Sequence, residues 1–202
     1  YLNNSTVEPG LVGSKTVNDS MAEFALGKSA MVQNGNWGWG QISGVEGNVT
    51  TAENIKFLPI YTGVEGEETQ GICIGTENYF AINGEVDEAT QQASIDFLVW
   101  LFSSEYGKNA VTNELGFITP FNTFAEDEQP TDPLAKEVLS WKAKESGDIQ
   151  NIEWLFTAFP SEQFKADFGA ALLGYVQGDE TWDTVEKTVV DSWAAEKAAT
   201  AE

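Results

Sequence analysis

The chain has 202 residues, enough for one domain or a lobe of something larger; with 42% hydrophobic and 12% aromatic residues it has the makings of a packed core. Its 32 acidic residues against 10 basic ones give a formal charge of −22, and every basic residue is a lysine. Without histidine or arginine there is no Ser-His-Asp or Cys-His catalytic unit, no histidine metal site, no bidentate guanidinium clamp and no basic stripe for nucleic acid. So acidic a surface repels anions and favours neutral or cationic ligands. Cys73 is the one cysteine, so no intramolecular disulfide is possible, and its apolar run Gly71–Gly75 reads as buried. The sequence shows no secretory signal, lipidation motif or membrane-spanning run and begins at Tyr1. It reads as an interior or C-terminal piece of a longer precursor.

In chain order, residues 1–16 are polar and turn-rich. Asn18 or Asp19 is expected to cap a short helix that turns Met21, Phe24 and Ala25 inward and ends at Gly27. Ser29–Gln33 reads as a short strand, followed by a turn containing Trp37 and Trp39 among Gly35, Gly38 and Gly40. Ile55–Tyr61 reads as a second strand, limited by Pro59. Gly63–Gly71 is an acidic loop, read as solvated rather than as a calcium site. Gly71–Asn83 is strand-rich, with Tyr79–Ile82 its best candidate. From Glu85 to about Ser104, Ala89, Ala93, Phe97, Leu98, Leu101 and Phe102 recur at helical spacing. A shorter helix follows over Tyr106–Leu115, then an extended aromatic stretch, Gly116–Phe124. Pro130 and Pro133 open a helix running to about Glu145, and Asn151–Pro160 reads as an apolar loop. Ser161 and Thr181 are expected to cap two closing helices, the first facing inward through Phe164, Phe168, Leu172, Tyr175 and Val176, the second through Trp182, Val185, Val189 and Trp193. Alternating helices and strands indicate α/β architecture.

The run Gly27–Trp37, G-K-S-A-M-V-Q-N-G-N-W, fits the pattern G-K-x-A-M-x-x-x-G-x-W. Further on come the L-P segment Phe57–Tyr61, Thr76–Asn83 ahead of a long helix, Gly116–Pro120, and F-K-x-x-F-G-x-A-L-x-x-Y-x-x-G from Phe164. In this order and spacing the chain resembles the extracellular solute-binding proteins of carbohydrate ABC transporters, the maltose-binding-protein-like group. The resemblance implies a periplasmic-binding-protein-like fold of type II, with two α/β lobes closing on a sugar by hinge motion. Residues 1–74 would belong to the second lobe, 75–120 would cross the hinge and add to the first, and 121–202 would return to the second. The N-terminal half of the first lobe would be absent. It further implies an exported bacterial protein, outside the cell membrane or in the periplasm, whose partners are a carbohydrate and the permease subunits of an ABC transporter. Any membrane attachment would run through a lipoprotein-type anchor preceding the chain.

Trp37 matches the family's cleft tryptophan, and an indole face suits the flat C–H surface of a pyranose. Because glycines flank it, a flat ligand is expected to reach the indole faces. Trp39, two residues on, is expected to face the opposite way if the segment is extended, one indole to the cleft and the other to the core. Asn36 is a candidate partner for a hydroxyl. Glu77 and Asn78, where the family's chain enters the hinge, offer the acceptors and donors that fix a sugar's orientation. Trp154 or Phe156 is a candidate second platform. Neither cofactor nor metal is implied. Two other classes stand beside the sugar receptor: a binding protein for another neutral solute or a peptide, and a glycoside hydrolase working through two carboxylates.

Overall fold

The computed structural model describes residues 8–76, 79–145, 147–154 and 161–199. The chain forms two compact units, Met21–Trp154 and, from both ends, Tyr1–Ser20 with Leu155–Glu202.

Helix α1 (Val17–Ala25) begins two or three residues earlier than a cap at Asn18 or Asp19 would place it. Thr16 is the capping residue: its hydroxyl accepts from the Asp19 backbone N–H at 3.2 Å, and the Asp19 carboxylate accepts from the Thr16 N–H at 2.8 Å. This reciprocal pairing satisfies donors that an uncapped helix leaves open. Gly27, at φ +69°, ends the helix as its position indicates. Met21 and Ala25 are buried with Ile42 of α2 (Trp39–Ser43), Ile55 and Leu134 of α5 (Pro133–Lys144). Phe24, Val32, Trp39, Val45 and Phe57 pack around this core. α5 starts where Pro133 indicates, with Asp132 accepting from the Ala135 N–H.

Three expected strands do not form. Ser29–Gln33 and Tyr79–Ile82 have no ladder partner among the described residues, and an isolated strand has nothing to satisfy its backbone. Ile55–Tyr61 satisfies part of its backbone through side chains of α5. The Phe57 N–H donates to Glu137 at 3.3 Å, and Trp141 Nε1 donates to the Phe57 carbonyl at 3.1 Å. Lys56 also pairs with Glu137 at 2.8 Å. The sheet among the described residues is instead a parallel pair, β1 (Gln70–Ile74) and β2 (Gln150–Glu153), in register Cys73 to Ile152 and Ile74 to Glu153. All but the first residue of β2 lie in the stretch Asn151–Pro160 expected to be a loop. Cys73 is exposed, not buried: in β1 it is Gly71 and Ile72 that are buried, and α5 packs against the pair.

Helix α3 (Glu88–Ser103) matches its expectation in extent, with Asp87 as the cap. None of its residues is buried, although the helix is rich in Leu, Phe, Val and Trp. Phe97, Trp100 and Tyr106 follow one another at ring spacings of 5.9 and 6.0 Å, and all three are exposed. α4 (Glu105–Asn109) continues into a π-turn over Ala110–Glu114 that buries Val111 and Thr112.

Lys108 on α4 is turned inward. Its ammonium donates to the Thr123 carbonyl at 2.5 Å and to Glu128 at 2.8 Å, and it lies 5.4 Å from the Phe124 ring centre. This one side chain ties segment 121–128 to α4. Lys108→Met keeps the stem but removes the charge, taking from the Thr123 carbonyl and from Glu128 the ammonium they share and leaving Glu128 only the Ala125 N–H. It is expected to lower the thermal unfolding midpoint and to speed amide exchange first within 121–128. Uniform exchange across the chain would show that the tie is not local.

Several carboxylates are held below their ordinary range by hydrogen bonds to the charged form. Asp87 is lowered by the Thr90 hydroxyl and then by the Thr90 N–H. Glu128 is lowered chiefly by Lys108, and Asp167 by Gln163 and Ser192. A depressed native pKa means the unfolded state takes up protons first, so this stability is complete above the ordinary carboxylate value. It is lost as pH falls through the lower native values. Thermal midpoints measured from pH 6 downward are expected to fall across that window, with a shallower slope in Asp87→Asn. An identical slope would remove Asp87 from the account.

In the unit built from both ends, α6 (Glu162–Gln177) and α7 (Trp182–Ala199) pack together. Both expected caps are present: Ser161 Oγ accepts from the Gln163 N–H, and Thr181 Oγ1 from the Thr184 N–H. Phe164 is buried edge-on against Trp193 at 5.0 Å, Val185 is buried, and Ser192 bonds Asp167 across the pair. Trp182 departs from the packing expected of it. It is half exposed at the start of α7, against Tyr175 on one side and bonded to Glu186 through Nε1.

Candidate functional site

The segment carrying the two candidate tryptophans is a tight turn followed by a helix. Gly35 is extended, Asn36–Gly38 form one 3-10 turn closed by Gly38 N–H to Gly35 carbonyl at 3.1 Å, and Trp39 opens α2. The expected turn is there and runs straight into α2, so the segment is not extended and the alternation that would set the two indoles on opposite faces does not apply. Their environments differ all the same. Trp37 is 63% exposed, while Trp39 packs against the core around Met21 and Ile42. Asn36 opens the turn and is half-buried. The turn packs against α5.

Gly35 matters more than its neighbouring glycines. A Cβ built on it would lie 2.2, 2.3 and 2.6 Å from Cζ3, Cη2 and Cε3 of Trp37. Three consecutive ring atoms at such similar distances place that position over the face of the indole. The Trp37 ring therefore lies down on the Gly35 backbone. Gly40 has nothing within 4 Å of the corresponding position, and Gly38 meets only Met21 at ordinary contact distance.

Trp154 occupies a second place. It follows β2 directly, its N–H donates to the Ile74 carbonyl at 3.0 Å, and it crowds Gly75 so closely that a Cβ there would fall 2.8 Å from its own. Trp154 thus stands at the carboxyl end of the parallel pair, the side on which open α/β sheets receive ligands. Glu77 and Asn78 come shortly after β1 in the chain but, like Phe156, lie outside the described residues. The Trp37 turn and the parallel pair have a packing partner in common, α5, and it is the element that relates the two places.

A groove of about 740 Å³ opens elsewhere, along the first half of α3, lined by Phe80, Ile82, Val86, Ala93, Phe97 and Leu98 among others. Of the described candidates, Trp37, Trp39, Asn36 and Trp154 do not line it, and helical periodicity alone marks its α3 side in the sequence. Among the described residues no group of three or more histidine, cysteine, aspartate or glutamate side chains is placed to hold a metal ion. No helix among them is long and apolar enough to cross a membrane.

The sequence profile of the bacterial extracellular solute-binding proteins matches residues 3–137, more than half of the chain. The chain belongs to that family. It is accordingly an exported bacterial protein, periplasmic or at the cell surface, of a family that is generally non-catalytic and supplies ligands to ABC transporters. No curated protein and no solved structure matches it.

Proposed function

We propose that the chain serves as a non-catalytic receptor for a neutral carbohydrate, an oligosaccharide, which it delivers to the permease of an ABC transporter. The observation that carries this reading is Trp37: a large aromatic, 63% exposed, held on a compact turn where nothing in the core requires it. Stacking one sugar ring there removes about 60 Å² of apolar surface from water, roughly 1.5 kcal/mol. The formal charge of −22, with no arginine, argues against anionic ligands. Trp154 would supply a second platform, and Glu77, Asn78 and Asn36 the polar contacts that orient hydroxyls, with Phe156 and Trp39 as lesser candidates.

The fold proposed with this function is the two-lobed type II binding-protein architecture. What supports it is the pairing of β1 with β2 and the packing of α5 on the Trp37 turn: residues well before 75 and well after 120 build one body. Residues 75–120, including the unburied α3, would belong to the crossing toward the first lobe. Calorimetric titration with neutral oligosaccharides, uronic-acid oligosaccharides and short peptides tests the reading. Saturable binding of a neutral oligosaccharide with no products released is the expected result. Saturation by a peptide or an acidic sugar alone, or release of shorter sugars, would replace it with one of the other classes.

A further inference from the structure

We propose that Gly35 is the positioning residue of the Trp37 platform, and that the platform therefore presents a single face. The inference rests on the sugar-receptor reading for its use, but its geometry stands by itself. Gly35 has φ −103° and ψ 179°, extended backbone that any residue adopts. Nothing in the backbone calls for glycine, so the requirement comes from what touches it. The nearest atoms to a built Cβ are three ring atoms of Trp37 at 2.2–2.6 Å, far inside contact distance. The Gly38 N–H bond to the Gly35 carbonyl draws the turn tight and folds the indole back onto residue 35. One face of the ring is thus spent on main chain, and the outer face is what a ligand can meet.

This changes what the glycines around Trp37 are for. They do not clear both indole faces for a sandwiching ligand; one of them seats the ring. A methyl group at position 35 would lift the indole from its seat without straining the chain, so Gly35→Ala is expected to fold normally.

The test is a cycle of Gly35→Ala, Trp37→Ala and the double variant, made in the 202-residue chain. Near-ultraviolet circular dichroism is read first, without ligand, with far-ultraviolet spectra to check folding. Gly35→Ala is expected to alter the aromatic signal in the wild-type background and to change nothing further once Trp37 is alanine. An equal change in both backgrounds, or none in either, would overturn the proposal. Binding of maltotriose, cellotriose and xylotriose is read second. Gly35→Ala should weaken whichever triose binds by roughly tenfold, as Trp37→Ala does, with no added loss in the double variant. If Trp37→Ala loses binding and Gly35→Ala does not, the positioning role is wrong and the receptor reading survives. If Trp37→Ala binds as wild type, the sugar-platform reading fails, and the ligand-free cycle still decides the role of Gly35.

Discussion

Trp37→Ala is expected to weaken binding of a neutral oligosaccharide at least tenfold and to leave the unfolding midpoint almost unchanged. The two halves come from one fact. At 63% exposure the indole contributes little to the core, so its loss costs little stability. The same exposure leaves its outer face available, and losing about 60 Å² of stacked apolar surface removes roughly 1.5 kcal/mol of binding. Trp39→Ala should behave in the opposite way, because that indole packs against Met21, Ile42 and their neighbours. Titrations followed by intrinsic fluorescence, paired with thermal unfolding, separate the two roles. A Trp37→Ala variant that loses stability and keeps affinity would reverse the assignment.

The largest effect on stability is expected from Met21→Ala, a loss of about 2–5 kcal/mol, the usual range for truncating a fully buried large side chain. Met21 is 1% exposed and belongs to the core that joins α1, α2, Ile55 and α5. Few of the described residues reach that degree of burial, so the cluster has little redundancy. Since α5 also packs on the Trp37 turn, the substitution should loosen the platform as well as the core. Chemical denaturation gives the number directly. A loss well under 1 kcal/mol would mean the site collapses around the missing side chain, or that the core lies elsewhere.

Helices were far more legible in this sequence than strands, for a local reason. Ser161 and Thr181 cap the closing helices as their type and position indicate, while the caps Asp87 and Asp132 go unnamed in the sequence reading although the helices they open are found. Thr16 was missed in favour of Asn18 or Asp19, although the T-x-x-D pairing with Asp19 was there to be read. Strands depend on partners far away in the chain. Nothing local says that Gln70–Ile74 pairs with Gln150–Glu153 or that α5 side chains meet the backbone at Phe57. The exposed state of Cys73 follows from that same non-local pairing. At the candidate site, the composition of the Gly/Trp turn was plain from sequence. That Gly35 carries the ring while Gly40 carries nothing depends on a tight turn that side-chain periodicity does not encode. Glu77, Asn78 and Phe156 stand as sequence-level candidates, proposed for the same site.

The most direct measurement is a crystal structure of the chain with a bound neutral oligosaccharide. A sugar ring is expected to stack on the face of Trp37 turned away from Gly35, at van der Waals distance. A sugar bound with that face bare, or held in the groove along α3, would contradict it.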